Sequence, residues 1–76
     1  MSKYYSIKEV DENGNMTCEV FGDNKAKAKG HLLRRLDELE KSLDGYKMEV
    51  LKAGLNHFKF TKDDKFVEIS LVETEV

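Results

Sequence analysis

Asp23-Asn24-Lys25-Ala26-Lys27-Ala28-Lys29-Gly30-His31-Leu32-Leu33-Arg34-Arg35-Leu36-Asp37-Glu38-Leu39-Glu40-Lys41-Ser42-Leu43-Asp44-Gly45 is the stretch that decides the fold. Leu32, Leu36, Leu39 and Leu43 recur at spacings of four, three and four, with Ala28 and Leu33 beside them. That period marks a helix with one apolar stripe over residues 23–43. Asp23 or Asn24 is suited to cap its start, where the first N–H groups lack partners. Gly45 is suited to the left-handed residue that ends it. Gly30 costs about 1 kcal/mol relative to Ala inside a helix, which suggests close approach of the helix to a sheet.

Upstream, residues 3–10 and 16–21 alternate as strands, with Asp11-Glu12-Asn13-Gly14-Asn15 between them. Asn-Gly predicts a hairpin over 3–21, because both residues tolerate positive φ. A two-residue turn at Asn13-Gly14 sets Ile7 opposite Val20 and Glu9 opposite Cys18. Tyr5, Ile7, Met16, Cys18 and Val20 then face the core, while Lys8, Thr17, Glu19 and Phe21 face away.

Downstream, residues 46–72 alternate again. Ala53-Gly54-Leu55-Asn56 interrupts them, which leaves residues 46–61 as one bent strand or two. A tight turn at Asp63-Asp64 sets Phe60 opposite Val67, Phe58 opposite Ile69 and Lys59 opposite Glu68. Residues 73–76 read as a frayed tail. The expected fold is a two-layer α+β domain, ββαββ(β), with one antiparallel sheet and a single helix packed on one face. If the strands flanking the helix run parallel, the connection is expected to be right-handed.

The chain has 76 residues, 37% charged and 39% hydrophobic. That length supports one domain over 1–76 with a small core, and the composition is globular rather than disordered. Cys18 is the single cysteine, so no internal disulfide can form. Met1 to Tyr5 lacks the apolar run of a signal peptide, and no segment nears the ~20 apolar residues of a membrane span. These features point to the cytoplasm.

Catalytic and metal chemistry find little support. Cys18, His31 and His57 lack paired metal-ligand spacings and read as a core cysteine and two surface histidines. Taking Asp11 as the first ligand of a calcium loop puts Met16 where glycine is needed and Gly22 where glutamate is needed. The glycines are scattered, so there is no phosphate loop. His57 and Ser70 lie opposite each other with no third group to orient the histidine. The expectation is a protein that is not an enzyme, with no cofactor, no metal, no small-molecule substrate and no membrane partner.

Two surfaces remain. Tyr4, Phe21, Leu51, Phe66 and Val72 fall in the outward phase of their strands, and an apolar patch within a charged rim marks a partner surface. An edge strand without proline can also pair with another chain. The second surface is basic. Lys25, Lys27, Lys29, Arg34 and Arg35 sit in the first half of the helix with no acid among them, on a chain of net charge -2. Arg34–Glu38 and Lys41–Asp37 pairs would support that helix face. The favoured function is a small binding module, an inhibitor, adaptor or regulator, that acts on a protein partner through its sheet face or an edge strand. Its size and acidity resemble those of phage or mobile-element accessory proteins. The alternatives are nucleic-acid binding through the five basic residues and a structural homodimer.

Overall fold

A computed structural model describes residues 3–51 and 56–75. The chain runs β1 (Lys3–Asp11), β2 (Met16–Val20), α1 (Lys25–Ser42), β3 (Lys47–Val50), β4 (His57–Lys62) and β5 (Lys65–Glu75). The strands form one antiparallel sheet in the order β2-β1-β5-β4-β3. Residues 46–61 therefore hold two strands that pair as a hairpin. The interruption at Ala53-Gly54-Leu55 lies outside the described residues.

Helix α1 joins β2 to β3. These strands run in the same direction but occupy opposite edges of the sheet, so they are not neighbours. The connection crosses the whole sheet, and α1 packs over the central strands β1 and β5. The result is the two-layer α+β fold.

The helix starts at Asn24, whose Oδ1 accepts the Lys27 N–H at 3.0 Å. At the other end the Leu43 N–H still reaches the Leu39 carbonyl, and Gly45 at φ 82 turns the chain away. That conformation strains any residue with a Cβ. Ala28, Leu32, Leu36 and Leu39 are buried. Leu32, Leu36 and Leu39 meet Ile7, Phe58, Phe60 and Ile69 from the sheet, with Phe21, Leu43, Tyr46, Val67 and Leu71 packed around them. Leu33 departs from expectation. It lies beside the stripe in sequence, but one residue turns a helix by about 100°, and the side chain is exposed.

Gly30 also departs from expectation. A Cβ built there meets nothing within 4 Å, so no close approach to the sheet requires glycine. Gly30→Ala is expected to raise stability by about 1 kcal/mol. A urea titration checks this, and a lower midpoint for the variant would contradict it.

The β4–β5 hairpin has the expected register: Phe58 faces Ile69, Phe60 faces Val67 and Lys59 faces Glu68. Asp63 supplies the positive φ of its two-residue turn. The β1–β2 hairpin is shifted by one residue. Ile7 faces Glu19, Lys8 faces Cys18 and Val10 faces Met16. The cause is the loop. Asp11 Oδ1 accepts the N–H groups of Asn13 and Asn15, and its Oδ2 accepts the Asn15 amide. Gly14 follows at φ 80 and donates its N–H to the Asp11 carbonyl. This is a three-residue loop with glycine in the left-handed position, and not a two-residue turn. Desolvation, the largest single influence, pushes the Asp11 carboxyl up. The hydrogen bonds from Asn15 and Asn13 outweigh it and leave the group below its ordinary value.

A one-residue slip turns every β2 side chain to the other face. Phe21 comes to the core, and Met16, Cys18 and Val20 leave it. Cys18 is exposed and not a core residue. The predicted frayed tail is also corrected, since β5 runs to Glu75 and Glu73 to Glu75 pair with Tyr5 to Lys3. Lys3 and Glu73 add an ion pair at 3.8 Å.

Candidate functional site

The face of the sheet away from α1 is assembled by register. Five rows of side chains cross it. Tyr4 pairs with Thr74. Val20, Ser6 and Val72 form the next row. Cys18, Lys8, Ser70 and His57 follow, then Met16, Val10, Glu68, Lys59 and Glu49. Phe66, Thr61 and Lys47 close the face. Leu51 extends the His57 row, since its N–H donates to the His57 carbonyl at 2.9 Å.

Of the five residues expected on this face, Tyr4, Leu51, Phe66 and Val72 are there. Phe21 is not; it packs against the core on the helix side. The four do not converge. Val72 and Tyr4 share one end, while Phe66 lies six residues from Val72 along β5, about 20 Å away. The Lys59 ammonium sits over the Phe66 ring at 4.9 Å. The residues that the slip delivers fill the gap instead. Met16 and Val20 are 58% and 60% exposed, and with Cys18 they line one edge of the face beside Val10, Val72 and Tyr4. This group could have been found in the sequence from Asp11, whose position two residues before Asn13 marks a side-chain-capped turn.

The face is thus divided. The β2–β1 half is largely apolar, and the β4–β3 half is charged. In the charged half His57 Nε2 lies 3.6 Å from Glu68, and Lys59 lies 3.9 Å from the same carboxylate. A third group beside His57 therefore exists, contrary to expectation. Glu68 is shared with Lys59, and the side chains are about one-third exposed. Among the described residues no hydrogen bond joins Ser70 to His57. An open, wet face gives such a group little of the leverage that a closed site supplies.

The five basic helix residues divide as well. Arg35 turns to the β1 side and makes a two-pronged contact with Glu9, Nε to Oε2 at 2.8 Å and Nη2 to Oε1 at 2.9 Å. Its Nη1 also meets Glu38 at 2.6 Å. The Glu9 carboxylate raises the Arg35 guanidinium further above an already high value; partial burial opposes this and Glu38 reinforces it. The expected Arg34–Glu38 pair is replaced by Arg35–Glu38, whereas Lys41–Asp37 forms at 3.0 Å. Lys29 turns to the other flank, its ammonium donating to Asn56 Oδ1 at 2.9 Å. Lys25, Lys27 and Arg34 are exposed. Lys27 and Arg34 share one side of α1, because seven residues are close to two turns.

His31 stacks at a tilt on Phe21, with ring centroids 5.0 Å apart, and meets Glu19 at 3.2 Å. That contact ties α1 to β2. Among the described residues no cluster of three His, Cys, Asp or Glu side chains could hold a metal ion. No helix among them is long and apolar enough to cross a membrane. An open hollow of about 570 Å³ lies beside the start of α1, lined by Tyr5, Lys25, His57, Ser70 and Glu73 among others. It also borders Asn56.

Comparison with known protein families, curated proteins and solved structures finds no match to this chain.

Proposed function

We propose that this protein is a non-enzymatic binding module that takes a protein partner on the β2 edge and the apolar half of the open sheet face. The observation that carries the reading is β2 itself. Every one of its residues is exposed. Among the described residues its outer side pairs with no strand and leaves backbone N–H and C=O groups open, and Met16, Cys18 and Val20 line up on one face beside them. An extended segment with apolar side chains at alternate positions fits that edge. Backbone hydrogen bonds supply affinity, and the exposed row supplies selectivity. The module would act as an inhibitor, adaptor or regulator by covering a surface. An exposed, unpaired Cys18 suits a reducing compartment such as the cytoplasm.

The test is site-specific photocrosslinking from Thr17 in cells that make the protein. A defined protein adduct is expected. Val20→Asp, which puts a charge at the end of the apolar row beside Val72, is expected to weaken the adduct at least about tenfold. Lys27→Glu with Arg34→Glu is expected to leave it intact. An adduct indifferent to Val20→Asp removes this reading. Recovery of nucleic acid that is lost on the helix charge reversal would replace it with the alternative one.

A further inference from the structure

Among the described residues β3 is the second free edge of the sheet, and its charge pattern fits one partner. We infer that the protein pairs with a second copy of itself through β3, antiparallel, with Met48 on the two-fold axis.

The backbone sets the possible registers. The Leu51 N–H donates inward to the His57 carbonyl, and antiparallel ladders alternate. Leu51, Glu49 and Lys47 therefore spend their N–H and C=O groups on β4. Tyr46, Met48 and Val50 direct theirs to the free edge, apart from the Tyr46 N–H, which donates to the Leu43 carbonyl. A two-fold axis perpendicular to the sheet can put either Met48 or Glu49 opposite its own copy while the outward groups pair.

Charge separates the two arrangements. With Glu49 on the axis, two carboxylates face each other directly, which is destabilising. With Met48 on the axis, Lys47 faces Glu49 of the second copy, and Glu49 faces its Lys47. These are the pairs without backbone hydrogen bonds, where side chains lie closest. The Met48 N–H and C=O bond their own copies across the axis, and the Val50 N–H reaches the Tyr46 carbonyl of the other chain.

The same register extends a ladder already present within one chain. On the open face Glu68, Lys59 and Glu49 alternate in sign across β5, β4 and β3. The row ends at the free edge on an acid. Lys47 of the second copy is the next member in the alternation. On the helix side Met48 and Val50 are 45% and 48% exposed, and they meet Met48 and Tyr46 of the second copy. The β2 edge has no comparable pattern. A self-pairing centred on Cys18 sets Thr17 opposite Glu19, with no opposite charges. A β3 dimer has β2 at its two far ends, so this inference does not depend on the proposed β2 binding surface.

The strand is short, so the dimer is expected to be weak, with a dissociation constant between roughly 1 µM and 1 mM. Sedimentation of the whole chain across that range tests it. The wild type is expected to dimerise, and less so as salt rises from about 0.1 to 1 M. Lys47→Glu alone and Glu49→Lys alone are each expected to be monomeric. An equimolar mixture of the two is expected to form a heterodimer, because both cross-strand pairs are restored, and this also shows that both variants fold. A wild type that stays monomeric up to 1 mM overturns the inference. A dimer that survives Lys47→Glu does so too, since neither the Glu49-centred register nor a β2 interface requires that lysine.

Discussion

Leu32→Ala is expected to cost about 2–5 kcal/mol, the range for truncating a buried leucine. Leu32 is 0% exposed and sits in the cluster with Ile7, Leu36, Leu39, Phe58, Phe60 and Ile69. Those contacts come from α1, β1, β4 and β5. No single neighbour can move into the space without leaving contacts on another element, so a cavity remains. A chain of this length has a total stability of about 4–11 kcal/mol at ordinary values per residue. The substitution therefore removes a large share of it, and at the upper end most molecules unfold. The adjacent Leu33→Ala is the control, because that side chain is exposed and its loss is expected to change stability by about 0.5 kcal/mol or less. Urea denaturation of both variants measures the contrast. Equal midpoints would mean that the helix is not seated on the sheet by the Leu32 face.

The second large effect is at Arg35. Arg35→Met is expected to cost about 1.5–3 kcal/mol, the range for hydrogen bonds to charged groups. The substitution removes both prongs to Glu9 and the contact to Glu38. It also leaves the Glu9 carboxylate, 18% exposed, without its partner. Much of the cost comes from that stranded charge. Adding Glu9→Gln to Arg35→Met should therefore recover part of the loss. Arg35→Lys should not restore it, because an ammonium cannot bridge both carboxylate oxygens in one plane. A double-mutant cycle by chemical denaturation gives the coupling. Wild-type stability in Arg35→Lys would reduce the contact to an ordinary surface ion pair. The pair also bears on function, because a guanidinium held between two carboxylates has little capacity left for phosphate.

The parts of the fold that were legible in the sequence are those where one local signal agrees with one pattern. The β4–β5 register followed from Asp63-Asp64 together with the alternation of Phe58, Phe60, Val67 and Ile69. The helix followed from its leucines and Asn24. In the β1–β2 hairpin Asn13-Gly14 is a strong two-residue turn signal, but the Asp11 side chain overrides it by lengthening the loop, and the register shifts. The alternation in β2 does not reveal the shift. Met16, Cys18 and Val20 are apolar, and so is Phe21 in the opposite phase, so either face of β2 could pass for the buried one. Residues 73–76 read as a frayed tail from their place at the end of the pattern, although Lys3 and the backbone of β1 hold Glu73 to Glu75. The candidate surface suffered most. A single slip removed Phe21 from it and supplied Met16, Cys18 and Val20. The charge pattern of Lys47 and Glu49 was present in the sequence, yet it became informative once β3 was placed at an edge.

The position of β5 also governs the order of events as the chain is made. Among the described residues it follows the other four strands in sequence, yet it lies at the centre of the sheet and joins the β1–β2 hairpin to the β4–β3 hairpin. Until residues 65–75 have left the ribosome, the nascent chain can hold two hairpins and a helix but no continuous sheet. Ile7 on β1 and Phe58 on β4 have no strand between them, and the leucines of α1 have only half a floor. Assembly is therefore gated by the arrival of β5. A chain cut short before β5 holds no smaller version of this domain, and its exposed apolar residues are substrate for chaperones or proteases.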